Sequence, residues 1–180
     1  GCTVAYHIAG DGSVRVTMDY IPVEGLSEMP EFGMLFKIPA DYDRVTYYGM
    51  GPEENYCDRS EGAKLSLYET TAKDNVTPYV IPQECGNRTG VRYAKVTNRR
   101  GEGLQFAGDA MDFSVLPYTP HELENAGHHY ELPQVHHTVI RVAFRQIGIG
   151  GDDSWGARTH DEYLIDISKP VHFDFVFAGC

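Results

Sequence analysis

Apolar residues recur at every second position in several stretches of the chain. Val14, Val16, Met18 and Tyr20 alternate with Arg15, Thr17 and Asp19, and Thr138, Ile140, Val142 and Phe144 with Val139, Arg141, Ala143 and Arg145. Tyr163, Ile165 and Ile167 alternate with Leu164, Asp166 and Ser168, and Val171, Phe173, Phe175 and Phe177 with His172, Asp174, Val176 and Ala178. A period of two sends successive side chains to opposite faces, the mark of antiparallel strands with one buried and one wet face. Shorter runs predict further strands near Gly33–Ile38, Arg44–Tyr48, Leu65–Thr71, Thr77–Ile81, Val91–Thr97 and Gly103–Ala110. One helix is expected: Thr119 caps it, Pro120 opens it, Glu122 completes a capping box and Gly127 stops it after Ala126. Many strands with a single short helix predict an all-β domain over residues 1–180, a sandwich or barrel of antiparallel strands.

Charge and composition narrow the partners. Across 180 residues, 15 Lys and Arg stand against 26 Asp and Glu, a formal net charge of −11. A binder of phosphate backbones needs a basic stripe, so nucleic acid and anionic lipid are excluded as partners. No apolar run reaches the roughly 18–20 residues that span a membrane, and the start, Gly1–Tyr6, has neither the charged nor the apolar region of a signal peptide. With Gly1 in place of Met, a processed or excerpted chain is expected. Cys2, Cys57, Cys85 and Cys180 are widely spaced, with no Cys-x-x-Cys pair, and are expected as reduced thiols of a cytoplasmic protein.

The glycine-rich run Gly148–Trp155 follows the strand ending near Gln146. As a dinucleotide-binding loop it fails, because its third glycine position holds Asp153, no helix follows, and two carboxylates would repel a pyrophosphate. Its glycines signal tight turns or close approach. Trp155, the only tryptophan, is either core or a flat apolar face for a polar ligand such as a sugar. Asp152 and Asp153 accept hydroxyl bonds or fix their own loop. Glu53 and Glu54 sit adjacent on a second unusual loop, Gly49–Tyr56, and identify no catalytic carboxylate pair. The adjacent histidines His128-His129 and His136-His137 point to opposite faces of any strand, and His7, His121, His160 and His172 lack ligand spacing, so no metal or other cofactor is expected. No Gly-x-Ser-x-Gly nucleophile elbow occurs.

Three long motifs, Tyr47–Arg59, Thr77–Arg88 and Gly148–Trp155, closely resemble signatures of the bacterial β-galactosidases of glycoside hydrolase family 2, in the expected order. The resemblance runs from about Val14 to Phe177 and places the chain in the C-terminal, small-chain domain of that enzyme. It implies an antiparallel β supersandwich similar to galactose mutarotase, of which this chain resembles the C-terminal portion, with the missing part before Gly1 and some sheet edges left unpaired. It also implies hydrolysis of terminal β-D-galactosides such as lactose, by two glutamates of a preceding barrel domain that match no residue here. The catalytic set expected in this chain is therefore none. Trp155 is implied as the aromatic face offered to the sugar. Gly150 and Gly151 are implied to give the loop its turn, and Asp152, Asp153 and Ser154 to support it. The implied partners are the remaining domains or large chain of the β-galactosidase and a galactoside, within a homo-oligomeric parent. Two other readings stand beside this one: a free-standing mutarotase-like epimerase using Glu53 with His136 or His137, and a purely structural or oligomerisation module.

Overall fold

A computed structural model describes residues 1–153 and 156–180; Ser154 and Trp155 lie outside the described residues. The strands are β1 (Cys2–Ile8), β2 (Val14–Tyr20), β3 (Glu31–Pro39), β4 (Arg44–Gly51), β5 (Lys64–Thr71), β6 (Arg88–Thr97), β7 (Gly103–Leu116), β8 (His137–Gln146) and β9 (Val171–Gly179). Every pairing is antiparallel. The expected all-β sandwich is the observed architecture.

The 14-residue strand β7 organises the sheet. One side carries β6, followed by β4 and β5. The other side forks: Leu104–Gly108 pairs with β9, which leads to β2 and β1, and Asp112–Leu116 pairs with β8, which leads to β3. The two arms close on each other through aromatic side chains. Phe36 of β3 meets Phe106 of β7 at 5.3 Å and Phe177 of β9 at 5.2 Å, edge to face, and Tyr20 meets Phe32 at 6.4 Å. Val16, Met18, Val45, Val91, Met111, Ile140, Val142, Phe173 and Phe175 fill the core between them. Burial of this apolar surface is the main favourable term in folding.

The two strongest alternations behave as the pattern requires. Val16, Met18 and Tyr20 are buried while Arg15 faces water, and Val171, Phe173 and Phe175 are buried while His172 is exposed. The helix, α1 (Pro120–Glu124), has the expected capping box, with Thr119 Oγ1 accepting from the Glu122 N–H at 3.2 Å and the Thr119 N–H donating to Glu122 Oε2 at 2.7 Å. It ends at Asn125, whose side chain bonds the His121 carbonyl at 2.7 Å, rather than at Gly127.

Four expectations need correction. Thr77–Ile81 is irregular, because Pro78 and Pro82 cannot donate to a ladder and the Tyr79 N–H turns back to Thr77 O at 2.8 Å. Tyr163–Ser168 buries Ile165 by alternation but pairs with no strand; Asp166 instead folds the segment by accepting from the N–H and hydroxyl of Ser168. β7 does not stop at Ala110: that residue takes φ 53°, a bulge beside a register shift on β6, and the strand resumes through the buried run Met111–Leu116. β1 was not expected as a strand, its alternation being diluted by the small residues Cys2 and Ala5. It is an edge strand in which Val4, Tyr6 and Ile8 extend the core face of β2 yet remain exposed.

Candidate functional site

The three motifs that stand out in the sequence meet in space, and the first is the fastener. The chain leaves β4 through Gly51–Pro52 and enters a loop from which Glu54, Asn55, Cys57 and Asp58 reach other segments. Asn55, 2 % exposed, donates from Nδ2 to Met50 O at 3.1 Å and Glu53 O at 2.9 Å, which shapes the loop itself. Its Oδ1 accepts from the Thr89 N–H at 2.9 Å and the Thr89 hydroxyl at 2.7 Å. Its backbone exchanges bonds with Asn87, N–H to O at 2.8 Å and O from Nδ2 at 3.0 Å. Glu54 reaches the same segment: Oε2 accepts from the Gly86 N–H at 2.7 Å, and Oε1 accepts from Tyr79 Oη and Arg59. Burial pushes the Glu54 carboxyl up, but these donors, with Thr77, outweigh it and hold it below the usual carboxylate range.

The same loop grips the third motif. Cys57 Sγ lies 3.6 Å from the carbonyls of Gln146 and Tyr163, at the two feet of the glycine loop. Asp58 Oδ2 accepts from the Gly150 N–H at 2.8 Å. Further ties close the feet: the Gly148 N–H donates to Tyr163 O at 3.0 Å, and the Thr159 hydroxyl to Gly148 O at 2.8 Å. Asp152 faces His160 Nε2 at 2.9 Å, and Asp153 Oδ1 accepts from the Ala157 N–H at 3.2 Å. The His160 ring stacks on Tyr163 at 6.5 Å. Asp58, Gly150, Gly151, Asp152, His160 and Tyr163 line a shallow depression of about 150 Å³. None of Gly148, Gly150 and Gly151 lies in the left-handed region, so a positive-φ turn is not what they provide. What glycine provides is close approach: a Cβ on Gly151 would stand 2.2 Å from Ala157 O, and one on Gly148 2.6 Å from Asp58 Cγ. Trp155 and Ser154, the expected sugar face and its neighbour, lie outside the described residues.

Beneath the loop, Asp112 of β7 anchors the end of β8 by accepting from the Gln146 N–H at 2.8 Å. It is 6 % exposed, and burial pushes its carboxyl up to about 6. Because the folded value is raised, the protonated form favours the native state; this contribution is fully present below the unfolded value and is lost as pH rises through about 6. Asp112→Asn keeps an acceptor for Gln146 and removes the titration. Stability measured by denaturant melts at pH 4 and pH 7 should then differ by on the order of 2–3 kcal/mol less than in the parent chain.

The remaining candidates take other partners. His137 faces Glu122 at 3.1 Å, the carboxylate that also closes the helix cap, and Glu53 and His136 are exposed. Glu31 and Glu84 both pair with the buried Arg141, at 2.6 Å from its Nε and 2.9 Å from one terminal nitrogen. His129 bonds Tyr79 O, and His172 bonds Asp19. Among the described residues, no three His, Cys, Asp or Glu side chains converge as a metal set, and no helix is long and apolar enough to cross a membrane. A larger cavity of about 490 Å³, lined by Val76, Tyr118, His129, Leu132 and Val135, shares no residue with the depression at Asp58. Asn55, Cys57 and Asp58 lie inside the first motif without a local sign of their roles, Tyr163 shows in the sequence only as part of an alternating run, and nothing there singles out Thr159.

The chain as a whole is similar to known proteins. The chain is 45% identical over 177 residues to the β-galactosidase of Halalkalibacterium halodurans and 46% identical over 165 residues to that of Priestia megaterium. The matches cover 96% and 91% of this chain but only 18% and 16% of those enzymes. It is also 40% identical over 184 residues to the β-galactosidase small subunit of Latilactobacillus sakei, covering 96% of this chain and 57% of that subunit. A sequence profile of the family described as beta galactosidase small chain matches residues 1–177, and the chain belongs to that family.

Proposed function

We propose that this chain completes the sugar site of a β-galactosidase that hydrolyses terminal β-D-galactosides such as lactose, with the catalytic glutamates carried by the rest of the enzyme. Its partners on this reading are the remaining domains or large chain of that enzyme and the galactoside itself. The observation that carries the proposal is the grip of the first motif on both of the others: Asn55 and Glu54 brace the Gly86–Thr89 segment while Cys57 and Asp58 hold the glycine loop that leads into Trp155. So much hydrogen bonding spent on one exposed loop supports a role in which the position of that loop matters. The tryptophan would offer its flat face to the sugar, and the chemistry would proceed elsewhere. Asp112, whose carboxyl is raised, is committed to Gln146 behind the loop.

Aromatic contact transfers no proton, so it acts on binding more than on the chemical step. In the full-length enzyme, Trp155→Ala should raise KM for a chromogenic β-galactoside roughly 5- to 30-fold, the equivalent of about 1–2 kcal/mol. The same variant should leave kcat within about twofold. Unchanged KM and kcat would make Trp155 a core residue and favour a purely structural module.

A further inference from the structure

We infer that Asp58 is a positioning residue for substrate binding, acting through the glycine loop that leads into Trp155. The inference rests on the reading of Trp155 as the sugar face and adds the device that sets where that face stands. Asp58 belongs to a tight turn closed at both ends, the Tyr56 N–H donating to Arg59 O at 3.1 Å and the Arg59 N–H to Tyr56 O at 2.9 Å. That turn is held from behind by Asn55 and by the pairing of Arg59 with Glu54, and from the side by Cys57 against the carbonyls of Gln146 and Tyr163. The carboxylate therefore projects from a fixed base.

Its target is a backbone amide in an open loop. The Gly150 N–H has no strand partner, and the bond it gives to Asp58 Oδ2 at 2.8 Å is charge-assisted, the stronger and more directional kind. The carboxylate also lies flush on the peptide chain. A Cβ on Gly148 would come within 2.6 Å of Asp58 Cγ and 2.7 Å of Oδ2, and one on Gly150 within 3.4 Å of Oδ2. Gly148 is thus shaped to receive Asp58, and loop and carboxylate form one fitted contact between residues 92 positions apart. The loop enters from Gln146, which Asp112 anchors, and leaves through Ala157, which Asp153 anchors. Asp58 holds the loop at Gly148 and Gly150, between those anchors.

The test is a double-mutant cycle in the full-length β-galactosidase, with KM and kcat for a chromogenic β-galactoside and the melting temperature read for each variant. Asp58→Ala should raise KM about five- to tenfold with kcat nearly unchanged, and should add less than twofold on a Trp155→Ala background, since a loop without its aromatic face has nothing left to position. Asp58→Asn, which keeps an acceptor oxygen, should return KM to within about twofold of the parent. Gly148→Ala pushes on the same contact from the loop side and should reproduce the Asp58→Ala rise; it serves as the test if Asp58→Ala does not fold. If Trp155→Ala raises KM but neither Asp58→Ala nor Gly148→Ala does, the positioning role is overturned and the function stands. A rise of equal size with and without Trp155 overturns it as well, as does a fall in melting temperature with KM unmoved. A Trp155→Ala enzyme with parental KM sinks the functional reading itself.

Discussion

Replacing Arg88 by alanine is expected to cost about 3–5 kcal/mol of stability, lowering the unfolding midpoint by roughly ten degrees for a chain of this size. Arg88 is 7 % exposed and stands at the start of β6, at the end of the second motif. Its Nε donates to Tyr47 Oη at 3.0 Å, one terminal nitrogen to the carbonyls of Gly86 and Asn87 at 3.1 and 3.2 Å, and the other to Asn75 Oδ1 at 3.2 Å. The guanidinium also lies over the Tyr47 ring at 5.9 Å. Its hydrogen-bond partners among the described residues are neutral oxygens, several of them in buried residues, so truncation strands them without water to replace the lost donors. Tyr47 and Asn75 are not idle otherwise: Tyr47 Oη donates to Pro52 O, and Asn75 Nδ2 to Val115 O, which ties the loops to β7. Arg88→Lys keeps the charge but not the fork, and should recover less than half of the loss because an ammonium cannot serve acceptors lying in three directions. Thermal unfolding followed by circular dichroism measures both variants. A loss under about 1 kcal/mol for alanine would mean that the segment rearranges to satisfy its own carbonyls.

What could be read from the sequence follows from how local each signal is. β2 and β9 were legible because each has one wet face, and alternation reports that directly. The second half of β7 was not, although Met111, Phe113 and Val115 alternate with Asp112 and Ser114, because Ala110 breaks the strand with a bulge that looks like an ending. Tyr163–Ser168 misled in the opposite sense. Ile165 and Ile167 pack against the core from an irregular segment, so the pattern reported burial correctly and pairing wrongly. The site divides the same way. Its residues were visible as motifs, since runs as unusual as Gly148–Trp155 announce themselves, but the contacts that make them one site link positions 32 and 92 apart and leave no local trace. Asp58 is the clearest case: an ordinary aspartate between Cys57 and Arg59 until the fold lays it against Gly148 and Gly150. The glycines were legible as necessary, though the reason is contact and not turn geometry.

The largest functional effect expected is all-or-none. A chain that completes a sugar site but carries neither catalytic glutamate must be silent alone, whatever its affinity for galactosides, because an aromatic face and a braced loop supply binding and no proton transfer or nucleophile. Glu54 is consumed by Gly86, Tyr79 and Arg59, Glu84 and Glu31 by Arg141, and Asp112 by Gln146. Assembly with the remainder of the enzyme should therefore restore turnover in proportion to complex formed, saturating at one copy of this chain per copy of the remainder. The measurement is the rate of hydrolysis of a chromogenic β-galactoside by the purified chain, by the remainder, and by mixtures of the two across a titration. The account predicts no turnover from either alone and a rise on mixing that saturates at equal amounts. Turnover by the isolated chain would contradict it, and would place a catalytic carboxylate pair within these 180 residues.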